Sequence, residues 1–263
     1  MQLGLEGRIA LVTGAGSGIG RAVAQALAAE GVIVHCADRS SAAAAATVAG
    51  NRAQDGAGNR AQDGAGRTGM QALTLDVTDP ASIEAAMQTI SASGGLDILV
   101  TSAGILKTGS VATASAEDWD TVERVNLRGV LHCVQAVIGP MMARGSGRII
   151  NIASVSAFRG GGALGNVLYG TTKAGVAALT MGLARELGPA GITVNAIAPA
   201  VTATAMTASQ LDSAMQAAIL RRIPVGRLAS PDDTASLAVF LASERASYIT
   251  GTIIPVDGGY LTT

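Results

Sequence analysis

Three side chains within residues 154–173 could move a proton: the hydroxyl of Ser154, the phenol of Tyr169 and the amine of Lys173. Arginine carries most of the positive charge in this chain, and Lys107 and Lys173 are its two lysines. A lysine four residues after a tyrosine therefore stands out. If Tyr169 opens a helix, positions i and i+4 share a face and the ammonium lies near the phenol. A phenol ordinarily keeps its proton at neutral pH, with a pKa of ~10. A close cation favours the phenolate and lowers that value, which would make Tyr169 a general acid or base. The same spacing also fits a surface tyrosine and lysine on an amphipathic helix, so the elements around them must decide.

The first of those elements is a glycine turn. Residues 8–12 (RIALV) form a short apolar run that reads as a buried strand. Residues 18–30 read as a helix with Ile19, Val23 and Leu27 on one stripe, closed by Gly31. Residues 32–37 (VIVHCA) are a second strand ending on Asp38, which completes a βαβ unit. Between strand and helix lies TGAGSGIG, with Gly14, Gly18 and Gly20 spaced GxxxGxG. Glycines there permit a tight turn and bring a pyrophosphate close to backbone N–H groups at a helix N-terminus. At a strand–helix junction of a βαβ unit this predicts dinucleotide binding. Asp38 can bond the adenine ribose and would repel a 2′-phosphate, which favours NAD over NADP. The neighbouring Arg39 could accept such a phosphate, and Asp38 could instead cap the next helix.

Strand and helix patterns alternate through the rest of the chain. Helices are expected at 40–48, 80–91, 116–142, 169–187, 207–220 and 232–243, and strands at 71–75, 97–100, 148–152, 192–197 and 252–256. This predicts one α/β domain over residues 1–263: a Rossmann-type doubly wound parallel sheet of about seven strands, with helices on both faces. GNRAQDGA occurs twice in tandem, at 50–57 and 58–65, so 50–66 reads as a duplicated surface insertion. Aromatic residues are only 2% of the chain, so the core must be aliphatic, and a net charge of −1 gives no electrostatic case for nucleic acid or an anionic membrane. No apolar run reaches the ~18 residues of a membrane span, and no basic-then-apolar leader opens the chain. Cys36 and Cys133 have no metal-ligand spacing and read as buried thiols, and no metal is expected. A cytoplasmic protein is the resulting expectation.

TGAGSGIG, Ser154 and YGTTK stand in order along the chain, and with them the sequence resembles the classical short-chain dehydrogenases/reductases nearly end to end. The resemblance implies that Tyr169 is the acid/base, that Lys173 lowers its pKa and bonds the nicotinamide ribose, and that Ser154 holds the substrate oxygen. It also implies that Asn126 holds a water in the proton relay. It extends the cofactor set to Ser17, Ile19, Asp76, Val77, Ser102, Ala103, Gly104, Pro199, Ala200, Thr202 and Thr204. It places Ser156, Phe158, Arg159, Leu164 and Met206 around the substrate, under an excursion at 200–225. Two motifs depart from the family pattern, Thr101-Ser102 standing for an Asn-Asn pair that braces the sheet and Pro199-Ala200 for Pro-Gly, and the Ser154–Tyr169 loop, with Arg159-Gly160-Gly161-Gly162 in it, is slightly long. The implied activity is NAD(H)-dependent interconversion of a small secondary alcohol and a ketone, in a homotetramer. A 3-oxoacyl-thioester reductase is the alternative substrate reading, and a non-catalytic NAD-binding sensor the alternative of another class.

Overall fold

The computed structural model describes residues 2–54 and 69–263. Seven strands alternate with helices: β1 (Ile9–Thr13), β2 (Ile33–Asp38), β3 (Met70–Thr74), β4 (Ile98–Thr101), β5 (Gly147–Ile152), β6 (Ile192–Pro199) and β7 (Ile253–Val256). They form one sheet in the order β3-β2-β1-β4-β5-β6-β7, with every neighbouring pair parallel. A parallel sheet needs crossovers, and the crossover helices cover both of its faces. Side chains alternate accordingly along β1: Ala10 and Val12 join one core and Ile9 and Leu11 the other. The first core is closed by α1 (Gly18–Ala29) and α10 (Pro231–Ala242), the second by α3 (Pro80–Ser91), α5 (Gly129–Arg144) and α7 (Val167–Leu187). Strand order reverses between β1 and β4, the switch point where such sheets open a crevice at the strands' carboxyl ends. Among the described residues no helix is long and apolar enough to cross a membrane.

Four elements differ from the sequence pattern. The helix expected at 40–48 is α2 (Ser41–Gln54), which takes in the start of the first repeat copy; the rest of the duplicated insertion lies outside the described residues. The single helix expected at 116–142 is α4 (Ala116–Glu123), then a π-helical turn at Arg124–Arg128, then α5. A π-turn holds one more residue than an α-turn, which hydrophobic periodicity does not reveal. The helix expected from Tyr169 begins earlier, at Val167. The helical excursion expected at 207–220 is two short helices, α8 (Ala205–Ala208) and α9 (Ser213–Leu220).

Both motif departures have local solutions. Thr101 donates to Asn151 Oδ1 at 2.8 Å, and Asn151 Nδ2 donates to Thr180 at 2.9 Å, so a buried polar chain ties β4, β5 and α7. Thr180 in turn donates to the Val176 carbonyl at 2.8 Å. No non-glycine residue among those described has a positive φ, so Ala200 turns the chain without backbone strain.

Candidate active site

The carboxyl ends of β1, β2, β4, β5 and β6 open into a cleft of about 740 Å³. At its middle is the turn between β1 and α1. Gly14 there has φ 66°, and a β-carbon on it would lie 2.8 Å from the backbone of Ala103. Only glycine meets both conditions. Thr13, buried below the turn, accepts from the N–H groups of Ser102 and Ala103 at 3.1 and 3.2 Å, which stitches β1 to the end of β4. Ser17 precedes α1 and its side chain makes no capping bond, so the first N–H groups of the helix lack a protein cap beside the cleft.

One end of the cleft carries two carboxylates and two arginines. The Asp38 carboxylate accepts from Gly16 N at 3.1 Å and from Ser40 N at 2.9 Å, one oxygen each. Asp76 accepts from the backbone and hydroxyl of Thr78 at 2.8 and 2.7 Å, and these bonds hold its carboxyl below the usual value. Val77 and Arg39 line the same end, together with Thr121 and Arg124, which the sequence gave no reason to single out.

The other end holds Ser154, Tyr169 and Lys173. The Asn166 side chain caps α7 by accepting from Tyr169 N at 3.1 Å, which fixes Tyr169 in the helix's first turn. Asn166 was missed, although an asparagine three residues before the tyrosine is a capping signal. Ser154 follows β5, is 8% exposed, and accepts from Ser156 N at 3.1 Å. The Ser154 hydroxyl lies close enough to the Tyr169 phenol to favour its ionised form. Lys173 is 5% exposed, and its Nζ donates to the Ile152 carbonyl at 2.7 Å, 5.9 Å from the Tyr169 ring centre. Asn126 sits in the π-turn, fully buried behind the cleft wall. It accepts from Ile105 N at 2.8 Å and donates to Ile105 O at 2.9 Å.

Lys173 was expected to lower the phenol's pKa, but burial raises the Tyr169 pKa above its ordinary value, and only the neighbouring Ser154 hydroxyl opposes that rise. The reason is geometric: the amine is turned onto a strand carbonyl, and burial pushes it down to about 8. Between pH 8 and 10.5 the folded chain has released this proton while the unfolded chain still binds it, so stability rises with pH there. Lys173→Met lacks the group. The Tm difference, parent minus variant, should climb across that window; a flat difference would mean that the amine is hydrated.

The cleft is lined by every residue expected to hold the cofactor, from Gly14, Ser17, Gly18, Ile19 and Gly20 to Gly104, Pro199, Ala200, Thr202 and Thr204. The expected substrate residues fare differently: Met206 lines the cleft, whereas Ser156, Phe158, Arg159 and Leu164 do not. Ser156 is buried beneath Ser154, and Phe158 is exposed on α6 (Ser156–Arg159). Arg159 lies over the Tyr260 ring, 5.2 Å from its centre, and donates to the Thr263 carbonyl at 3.4 Å. Beyond Gly160 the loop folds back, with Gly162 N donating to Gly165 O at 2.9 Å, and carries Leu164 off the wall.

A family model described as enoyl-(acyl carrier protein) reductase matches residues 14–261. The chain is 40% identical over 258 residues to the 3-oxoacyl-(acyl-carrier-protein) reductase FabG of Vibrio harveyi, covering 98% of each. A solved structure of a proposed short-chain alcohol dehydrogenase from Sinorhizobium meliloti matches at TM-score 0.89 and 36% identity, covering 100% of both chains. A proposed 2-deoxy-D-gluconate 3-dehydrogenase from Agrobacterium tumefaciens, with NADP bound, matches at TM-score 0.87 and 40% identity, covering 100% of this chain and 99% of that one. These likenesses run the length of the doubly wound sheet, through the glycine turn and the serine–tyrosine–lysine cluster, and the chain is an oxidoreductase that belongs to the classical short-chain dehydrogenase/reductase family.

Proposed function

We propose that the chain interconverts a secondary alcohol and a ketone with NAD(H). The observation that carries this reading is one cleft with a glycine turn at its middle, the Asp38 carboxylate at one end, and the Ser154 and Tyr169 hydroxyls, backed by Lys173, at the other. The residues fit a dinucleotide: α1 offers N–H groups to a pyrophosphate, and Asp38 stands where a ribose would lie. A bound nicotinamide would accept or supply the hydride. Tyr169 exchanges the proton at the substrate oxygen, and Ser154 holds that oxygen as charge develops on it. The buried Lys173 amine stands next to the phenol to replenish its proton, and Asn126 fixes the backbone at Ile105 behind them.

Asp38 favours NAD because its charge opposes a 2′-phosphate. Arg39 beside it and the NADP in the Agrobacterium tumefaciens structure make the choice of cofactor the point to measure. The test is a panel of secondary alcohols and ketones, read at the reduced-nicotinamide absorbance band with each cofactor. The expected result is turnover with a higher kcat/KM for NAD(H), and Asp38→Ala should narrow the preference. A higher kcat/KM for NADP(H) would overturn the cofactor choice. Cofactor binding without turnover on any substrate would favour the sensor reading.

The 40% identity to FabG supports a second substrate reading, a 3-oxoacyl thioester. A thioester reduced with at least tenfold higher kcat/KM than small ketones would make it the first. Met142 on α5 and Val167 and Met181 on α7 are exposed apolar side chains that suit packing between copies in a homotetramer. A solution mass of a single chain would remove that proposal.

A further inference from the structure

Two side chains outside the cleft hold the glycine turn by its carbonyls. Thr47, on α2 and 1% exposed, donates to the Ala15 carbonyl at 2.9 Å. Arg21, on α1, donates from Nε to the Thr47 hydroxyl at 3.1 Å and from its terminal nitrogen to the Gly16 carbonyl. These bonds set the orientation of two successive peptide planes. In a planar trans peptide, the carbonyl and the next N–H point to opposite sides, and no described peptide is cis. The Ala15–Gly16 peptide shows the consequence: its carbonyl is on Thr47, and its N–H reaches Asp38 Oδ2 at 3.1 Å. In the Gly16–Ser17 peptide the carbonyl is on Arg21, so the Ser17 N–H is directed away from Arg21, where Ser17 lines the cleft.

We infer that Arg21 and Thr47 are positioning residues with separate jobs. Arg21 aims the Ser17 N–H at the cofactor's pyrophosphate, and Thr47, through the Ala15–Gly16 peptide, fixes the Asp38 carboxylate that reads the ribose. The inference rests on the dinucleotide reading of the cleft and extends it to residues that touch no cofactor. Without Arg21 the Gly16–Ser17 peptide is free to rotate, and a donor common to both cofactors is lost. Without the Thr47 hydroxyl the Ala15–Gly16 peptide relaxes, the Gly16–Asp38 bond loosens, and the carboxylate that excludes a 2′-phosphate becomes mobile.

The experiment is fluorescence titration of NADH and of NADPH into the whole chain, which needs no knowledge of the substrate. Arg21→Met should raise Kd for both by about three- to tenfold and leave their ratio unchanged, the size of one charge-assisted hydrogen bond shared with solvent. Thr47→Val should move the ratio of the two Kd values towards one by about threefold, and Thr47→Ser, which keeps the hydroxyl, should retain the parent ratio. Arg21 is an exposed side chain, so its variant leaves the core intact even if Thr47→Val fails to fold. Parent-like Kd values in Arg21→Met, or a Thr47→Val change equal for both cofactors, would overturn the inference while the dinucleotide reading stands. A parent that binds neither reduced cofactor would overturn both.

Discussion

Tyr169→Phe is expected to lower turnover by about 10²- to 10⁴-fold, the usual weight of a positioned general acid or base, while Kd for the reduced cofactor stays within about twofold of the parent value. The substitution removes one oxygen and keeps the ring. That ring packs tightly at Gly165, where a β-carbon would meet it at 2.4 Å, so phenylalanine should occupy the same space. What goes is the hydroxyl that faces Ser154, with its exchangeable proton. Because burial raises the phenol's pKa, the parent holds that proton at neutral pH and, in the proposed reaction, would donate it to a ketone oxygen. Alcohol oxidation needs the phenolate, so the parent's oxidative rate should rise with pH, and the residual rate of Tyr169→Phe should lack that rise. A variant with parent-like turnover, or with the parent's pH profile, would take Tyr169 out of the reaction.

What could be read in advance follows how local each signal is. The β1–turn–α1–β2–Asp38 unit is legible because glycine spacing, an apolar stripe and a terminal acid all lie within 30 or so neighbouring positions, and each has a direct structural meaning. Ser154, Tyr169 and Lys173 are legible as types at a spacing. The direction of the tyrosine's pKa is not, because it depends on how deeply α7 is buried and on which way the lysine turns, and both are tertiary facts. The surroundings of Arg159 are hidden for a similar reason. The resemblance placed it around the substrate, whereas in the fold it lies over Tyr260, far along the chain, which Arg222 also approaches at 4.5 Å. The π-turn at Asn126 and the Thr101–Asn151–Thr180 chain are equally silent in sequence. One is an extra residue in a helical turn, and the other needs three separate elements to meet.

The second large effect is expected from a single methyl group. Gly20→Ala should weaken reduced-cofactor binding by more than about tenfold and lower Tm, even though alanine is favoured over glycine in a helix by about 1 kcal/mol. The sign is set by what the methyl group would meet. A β-carbon at Gly20 would lie 2.3 Å from the Gly14 carbonyl oxygen and 2.7 Å from its carbon. Both obstacles are backbone of the turn that faces the cleft, so they cannot move aside as a flexible side chain would. Either α1 slides out or the turn opens, and each displaces the N–H groups meant for the pyrophosphate. Gly182→Ala is the matched control. It also lies inside a helix, α7, but its β-carbon would meet nothing within 4 Å, so helix propensity alone should act and Tm should rise. Measuring Tm and NADH affinity for the two variants side by side separates the two effects. If Gly20→Ala raised Tm and bound NADH like the parent, the close approach of α1 to the turn would not be what shapes the cofactor cradle.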